Sequence, residues 1–212
     1  MGAPQLYSRD IPKRCNFLIE KLYPSVRQGI EGDHQFGGNL GTTFLLAMSM
    51  PILVLPLERI LKPNNNAAMA DDRNRDQELS DQIKSEFTTG RIFGNAPFAD
   101  HKKWSYIKGW PRFNITDAWQ HKLCEALMSN EATLTASATD ANQIMGDLRN
   151  ALSHGGIAYL NDEGRHIEKD AAKVLAFVST EHPGASAKFN ILTISEDDYR
   201  EFLQHWSLWL NK

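Results

Sequence analysis

Residues 147–162, DLRNALSHGGIAYLND, mark the point where a helical pattern gives way to an extended one. On a helix of about 3.6 residues per turn, Ile144, Leu148, Ala151 and Leu152 share one apolar face. Successive rotations of about 100° put Arg149 at the border of that face, Ser153 further round, and Asn150 and His154 on the far side. The polar side chains therefore do not fill the core that this helix covers. Gly155 and Gly156 end it, because glycine reaches left-handed backbone conformations cheaply and commonly follows a last helical turn. A regular helix separates Arg149 and His154 by about 140°, so one small ligand meets both only if the last turn loosens or another chain contributes. The structural alternative pairs Arg149 with a carboxylate such as Asp147 and sets His154 against the final carbonyls.

Working outward, this helix starts near Thr139 or Asp140, and an earlier one starts at Asp117, capped by Thr116 or Asp117, with Leu123, Ala126 and Leu127 facing inward. Residues 40–57, LGTTFLLAMSMPILVLPL, carry no charge and reach the lower limit for a bilayer span, roughly 18 residues. Pro51, Pro56, Thr42, Thr43 and Ser49 favour instead a central bundle helix kinked near Pro51, with Glu58 and Arg59 emerging at its polar end. A membrane-associated protein is the competing reading, and no stable insertion is expected.

Residues 11–30 place Phe17, Leu18, Leu22 and Val26 at helical spacing. Residues 62–77 read as a polar loop, and Leu79, Ile83 and Phe87 resume a helix. Residues 88–116 are broken by glycine and proline and read as an irregular connector between helical halves. After the opening stretch, IAYL, KVLAFVS and FNILTI form short β-branched runs of a small antiparallel sheet, with His182, Pro183 and Gly184 as a break. Ser195 then caps a last helix with an acidic first turn and an apolar face of Phe202, Leu203, Trp206, Trp209 and Leu210.

The formal charge of −3 argues against a general polyanion coat, so any binding to nucleic acid must use a local patch. Cys15 and Cys124 form no CxxC pair and fit a reducing cytoplasm, and the N-terminus lacks a secretory pattern. The histidines show no HxxxH or HExxH spacing, and Gly37, Gly38 and Gly41 lack the lysine of a phosphate-binding loop. No metal and no cofactor are expected.

Arg149, Asn150 and His154, in RNALSHGG, match an Arg-x4-6-His motif with a polar residue after the arginine. In this the chain resembles the HEPN superfamily, most closely over residues 140–162 and more loosely over 50–61 and 189–210, the last like a plasmid- and defence-associated subgroup. The resemblance implies a mainly α, HEPN-like helical bundle with a small antiparallel β insertion before the C-terminal helix. As a single domain over 1–212, the bundle takes about 10–155 and 195–212, and the insertion about 157–194.

The resemblance also implies metal-independent RNA cleavage at a composite site where two motifs face each other in a homodimer. A proton carrier near neutral pH and a fixed cation beside a phosphate are what histidine and arginine supply. His154 is the candidate acid or base, Arg149 the candidate phosphate partner, Asn150 an orienting residue, with Ser153 and Glu58 as supporting candidates. The reading is an endoribonuclease of toxin or anti-phage type, with RNA as substrate and a neutralising protein as a further partner. The alternative is a non-catalytic dimerisation module binding RNA, a nucleotide or a protein.

In residues 101–114, HKKWSYIKGWPRFN, Lys102, Lys103, Lys108 and Arg112 alternate with Trp104, Tyr106, Trp110 and Phe113, a mixture of cations and rings that suits single-stranded RNA. Their bland use is core cover by the tryptophans and solvation of the lysines.

Overall fold

The computed structural model describes residues 2–61, 71–87, 90–167, 172–180 and 188–212. Most of the expected loop at 62–77 and the whole break at 182–184 lie outside the described residues.

Helix α1, Tyr7–Gln28, buries Pro12, Asn16, Ile19 and Tyr23 against the rest of the bundle. The helix falls where the spacing of Phe17, Leu18, Leu22 and Val26 predicts one, while Phe17, Leu18 and Leu22 themselves are exposed. A stripe that includes a proline and an asparagine escapes a count of apolar side chains, although its spacing is equally helical.

The uncharged run folds as α2, Gly41–Ser49, a π-helical turn, Met50–Val54, and α3, Leu55–Ile60. Prolines explain the disturbance, because neither Pro51 nor Pro56 has an N–H to donate to the carbonyl four residues before it. The Leu55 N–H donates instead to the Met50 carbonyl, five residues back. The Ile52 carbonyl, which Pro56 cannot reach as a donor, accepts the Trp206 indole N–H at 2.9 Å. Gly41–Ile60 is long and apolar enough to cross a membrane. In this structure it is a central element of the bundle, with Leu45, Ile52 and Leu53 fully buried against α1 and the helices that follow.

Helix α4, Gln77–Glu86, begins at Asp76, whose carboxylate accepts from the Leu79 N–H. Strand β1, Trp104–Trp110, runs through the segment expected to be irregular. That is a correction: Trp104 and Tyr106 alternate with Ser105 as a half-buried strand requires, a pattern masked by Gly109 and Pro111. Helix α5 is His121–Leu127, starting later than expected, because Asn114 accepts from Thr116 and donates to Asp117 in a turn that occupies the anticipated caps. Helix α6, Asn130–Ala138, had no counterpart among the expectations; Ser129 caps it by accepting from the Ala132 N–H, and its mixed polarity gives little periodic signal.

Helix α7, Ala141–His154, follows Asp140 as N-cap. Strands β2, Ile157–Leu160, β3, Val174–Thr180, and β4, Phe189–Ser195, appear where the sequence placed them. Ser195 caps α8, Glu196–Leu210, by accepting from the Asp198 N–H. The sheet is antiparallel in the order β1-β4-β3-β2, so it is not confined to the 157–194 insertion.

One face of the sheet joins the bundle core through Leu175, Phe177, Leu192 and Ile194. There Trp206 meets Phe98 edge-on at 4.8 Å, and Trp104 meets Phe202 at 5.0 Å. The opposite face packs Ala176, Val178 and Ile191 against Trp119, Leu123 and Leu127. Helix α7 therefore lies between the bundle and the sheet, and its C-terminal end opens at the seam.

Candidate active site

Gly155 caps α7 in the left-handed region at φ 72°, and its successor serves a different purpose. A Cβ on Gly156 would stand 2.0 Å from the Val178 carbonyl oxygen, and the Val178 N–H donates to the Gly156 carbonyl at 2.7 Å. One glycine turns the chain and the next lets it touch β3. The exposed His154 is left at the rim of a groove between the helix end, the sheet and the chain after β1.

This groove has a volume of about 650 Å³. Asn150 and His154 line it from α7, Ser179 and Thr180 from β3, and Arg112 and Phe113 from the connector. Ser153 is exposed on the same turn and is not part of its lining.

Arg149 takes another direction. Its Nη1 lies 3.4 Å from Glu58 Oε1, and its Nη2 donates to Asn150 Oδ1 at 2.7 Å. Arg149 and Glu58 side chains are about equally exposed, 29% and 31%, so the cation remains reachable from solvent. Asn150 links the two halves of the motif: it holds the arginine by its oxygen and lines the histidine's groove.

Asp147 does not pair with Arg149. It is buried and accepts from the Tyr106 hydroxyl at 2.7 Å, the Ser179 hydroxyl at 2.6 Å, the Asn190 amide at 3.2 Å and Gln143 at 2.9 Å. A buried carboxylate needs such donors to offset its lost hydration. These bonds fix α7 to β1, β3 and β4 at once. The signal was present in the sequence, since Asp147 falls between Ile144 and Ala151 on the apolar stripe, where a carboxylate must have buried partners.

A family model described as HEPN pEK499 p136 matches residues 1–212. The chain belongs to this HEPN family. Comparison with curated proteins and with solved structures gives no match.

In this HEPN protein the expected RNA-contact segment is divided among several tasks. Trp104 is 1% exposed and belongs to the aromatic core, so it is not available to stack on a base. Lys103 is engaged by Asp198 at 2.8 Å and Glu201 at 2.7 Å, which hold its ammonium well above the usual lysine range. The burial of Trp104 corrects the expected set. Lys108 and Trp110 line a separate groove of about 310 Å³ with α6, away from His154. Lys102 is exposed on the turn before β1. Of the cations and rings in the expected segment, Arg112 and Phe113 reach the motif groove.

Glu58 is brought to the motif by α3, while its neighbour Arg59 turns to Asp72 with a 2.7 Å contact. Among the described residues, no group of three or more histidine, cysteine or acidic side chains could hold a metal ion.

Proposed function

We propose that the protein is a metal-independent endoribonuclease of toxin or anti-phage type, acting at a composite site formed when two copies bring their motifs together. The observation that carries this reading is that one helix terminus presents a solvent-reachable arginine, held by Asn150, and an exposed histidine that lines a groove together with Asn150. Within one chain Arg149 faces Glu58 and His154 faces the groove, so a two-fold partner presenting the same surface would supply the missing proximity.

In the proposed reaction His154 takes the proton from an RNA 2′-hydroxyl, or gives one to the leaving 5′-oxygen. The 2′-oxygen forms a bond to phosphorus as the bond to the 5′-oxygen breaks, leaving a 2′,3′-cyclic phosphate and a 5′-hydroxyl. Arg149 stabilises charge on the phosphoryl oxygens, and Asn150 orients it. DNA lacks the nucleophile and is expected to resist.

The test is cleavage of a mixed RNA pool in EDTA by wild type, Arg149→Ala and His154→Ala, with product ends analysed. Cleavage by wild type that falls by about 10²–10⁴ in His154→Ala, a typical loss for a general acid or base, supports the reading. Equal cutting of DNA, or full activity in His154→Ala, would defeat it. The second reading, a non-catalytic RNA- or protein-binding dimer, is favoured by the Glu58 contact that already engages Arg149, and a folded dimer that binds RNA without cutting it is its signature.

A further inference from the structure

We infer that the groove beside His154 is a subsite for one unpaired nucleobase, with Phe113 as its aromatic wall. The inference rests on the ribonuclease reading for its substrate and assigns the base next to the reacting bond to residues outside the motif.

A volume of about 650 Å³ falls within the range of about 300–1,000 Å³ that small-molecule sites occupy. Its lining mixes flat or branched apolar groups, Phe113, Ile115 and Val178, with polar ones at the edges, Asn150 and Thr180. That mixture fits a planar ring with heteroatoms on its rim. The groove opens directly onto His154, so a base seated there places its own ribose and phosphate at the imidazole.

The wall is fixed before a ligand arrives. Phe113 is partly exposed, and its ring meets Trp119 at 5.3 Å and Phe189 at 5.5 Å, both nearly perpendicular. The next residue locks the chain, with Asn114 Oδ1 accepting from the Thr116 hydroxyl at 2.9 Å and Nδ2 donating to Asp117 at 3.0 Å. On the opposite side, the Ser179 hydroxyl is committed to Asp147. A preorganised aromatic wall spends little conformational entropy on binding.

Arg112 sits exposed at the rim, over the Phe189 ring at 5.6 Å. Its charge beside the groove suits the phosphate on the far side of a seated base. Duplex RNA offers its bases only at their edges, whereas a groove bounded by a helix end and a loop admits a ring that has left the stack.

The deciding experiment is fluorescence anisotropy of the full chain with a 2′-O-methyl oligoribonucleotide, which cannot be cut, single-stranded or annealed to its complement. Wild type is expected to prefer the single strand, Phe113→Leu to weaken that binding about tenfold, as loss of one base stack does, and Phe113→Tyr to restore it. Arg112→Gln is expected to weaken binding to all sequences alike and to flatten its salt dependence. Equal affinity for single strand and duplex, or wild-type affinity in a folded Phe113→Leu, overturns the inference.

Should Phe113→Leu fail to fold, a 4-thiouridine oligonucleotide crosslinked to wild type decides. Attachment within residues 112–115 supports the subsite, and attachment only elsewhere overturns it. Because neither assay needs turnover, a protein that binds through Phe113 yet cuts no RNA would keep the subsite and retire the ribonuclease reading.

Discussion

Arg149 and Glu58 meet across two helices that the chain separates widely, with Nη1 3.4 Å from Oε1. The pair joins the motif helix to the element just after the π-helical turn. Its partial exposure keeps its contribution to stability within about 1 kcal/mol. Glu58→Gln is therefore expected to leave the melting temperature nearly unchanged while loosening the guanidinium. On the proposed ribonuclease reading, losing about 1 kcal/mol of positioning corresponds to about a fivefold fall in RNA cleavage rate, read by single-turnover kinetics. An unaltered rate would show that Glu58 only anchors a resting arginine.

Asp147 gives a contrasting prediction. Asp147→Leu strips a buried acceptor from Tyr106, Ser179 and Asn190 at once. At about 1–3 kcal/mol for each such group, the loss should exceed about 3 kcal/mol and appear as a large drop in the urea midpoint. Asp147→Asn keeps one acceptor oxygen and should lose less.

Acid should weaken the N-terminal clamp. Burial raises the Asp72 carboxyl, but hydrogen bonds from Arg59 and Ser8 outweigh it and hold the group below its ordinary value of 3.8. A depressed folded value means stability that is present above pH about 4 and lost as pH falls through that lower value. The gap in melting temperature between wild type and Asp72→Asn should thus be widest near neutrality and close as pH falls below about 4.

The two glycines after His154 should respond differently to alanine. Gly155 has open space where a Cβ would stand but a φ of 72°, so Gly155→Ala should cost about 1–2 kcal/mol of backbone strain. Gly156→Ala sets a carbon 2.0 Å from backbone oxygen and must push β3 away, disturbing the groove as well as stability. Chemical denaturation and oligonucleotide binding, measured together, separate the two effects.

The motif helix, its caps and the last three strands were legible because each carries a local signal: a 3.6-residue stripe, a capping serine or aspartate, a β-branched run. Strand β1 was not, since its pairing partner β4 lies some eighty residues on and its own sequence ends in breakers. The inward face of α1 was not legible, because Asn16 is buried and Phe17 is not, a choice made by the neighbouring helices rather than by hydropathy. At the site, Arg149, Asn150 and His154 could be named from spacing. That Asn150 holds Arg149 while lining the groove at His154, and that Phe113 lines the same groove, depends on contacts that no periodicity encodes.

The Asp147 network has a consequence for biosynthesis. Its partners Tyr106, Ser179 and Asn190 enter the chain far apart, and the last of them precedes only the final helix. During translation α7 is therefore made well before the strand that completes its anchorage. A nascent chain that has released the motif but not β4 would carry Arg149 and His154 on a helix with no fixed orientation. If these residues cut RNA, the ribosome is spared an armed product until β4 has been made and paired.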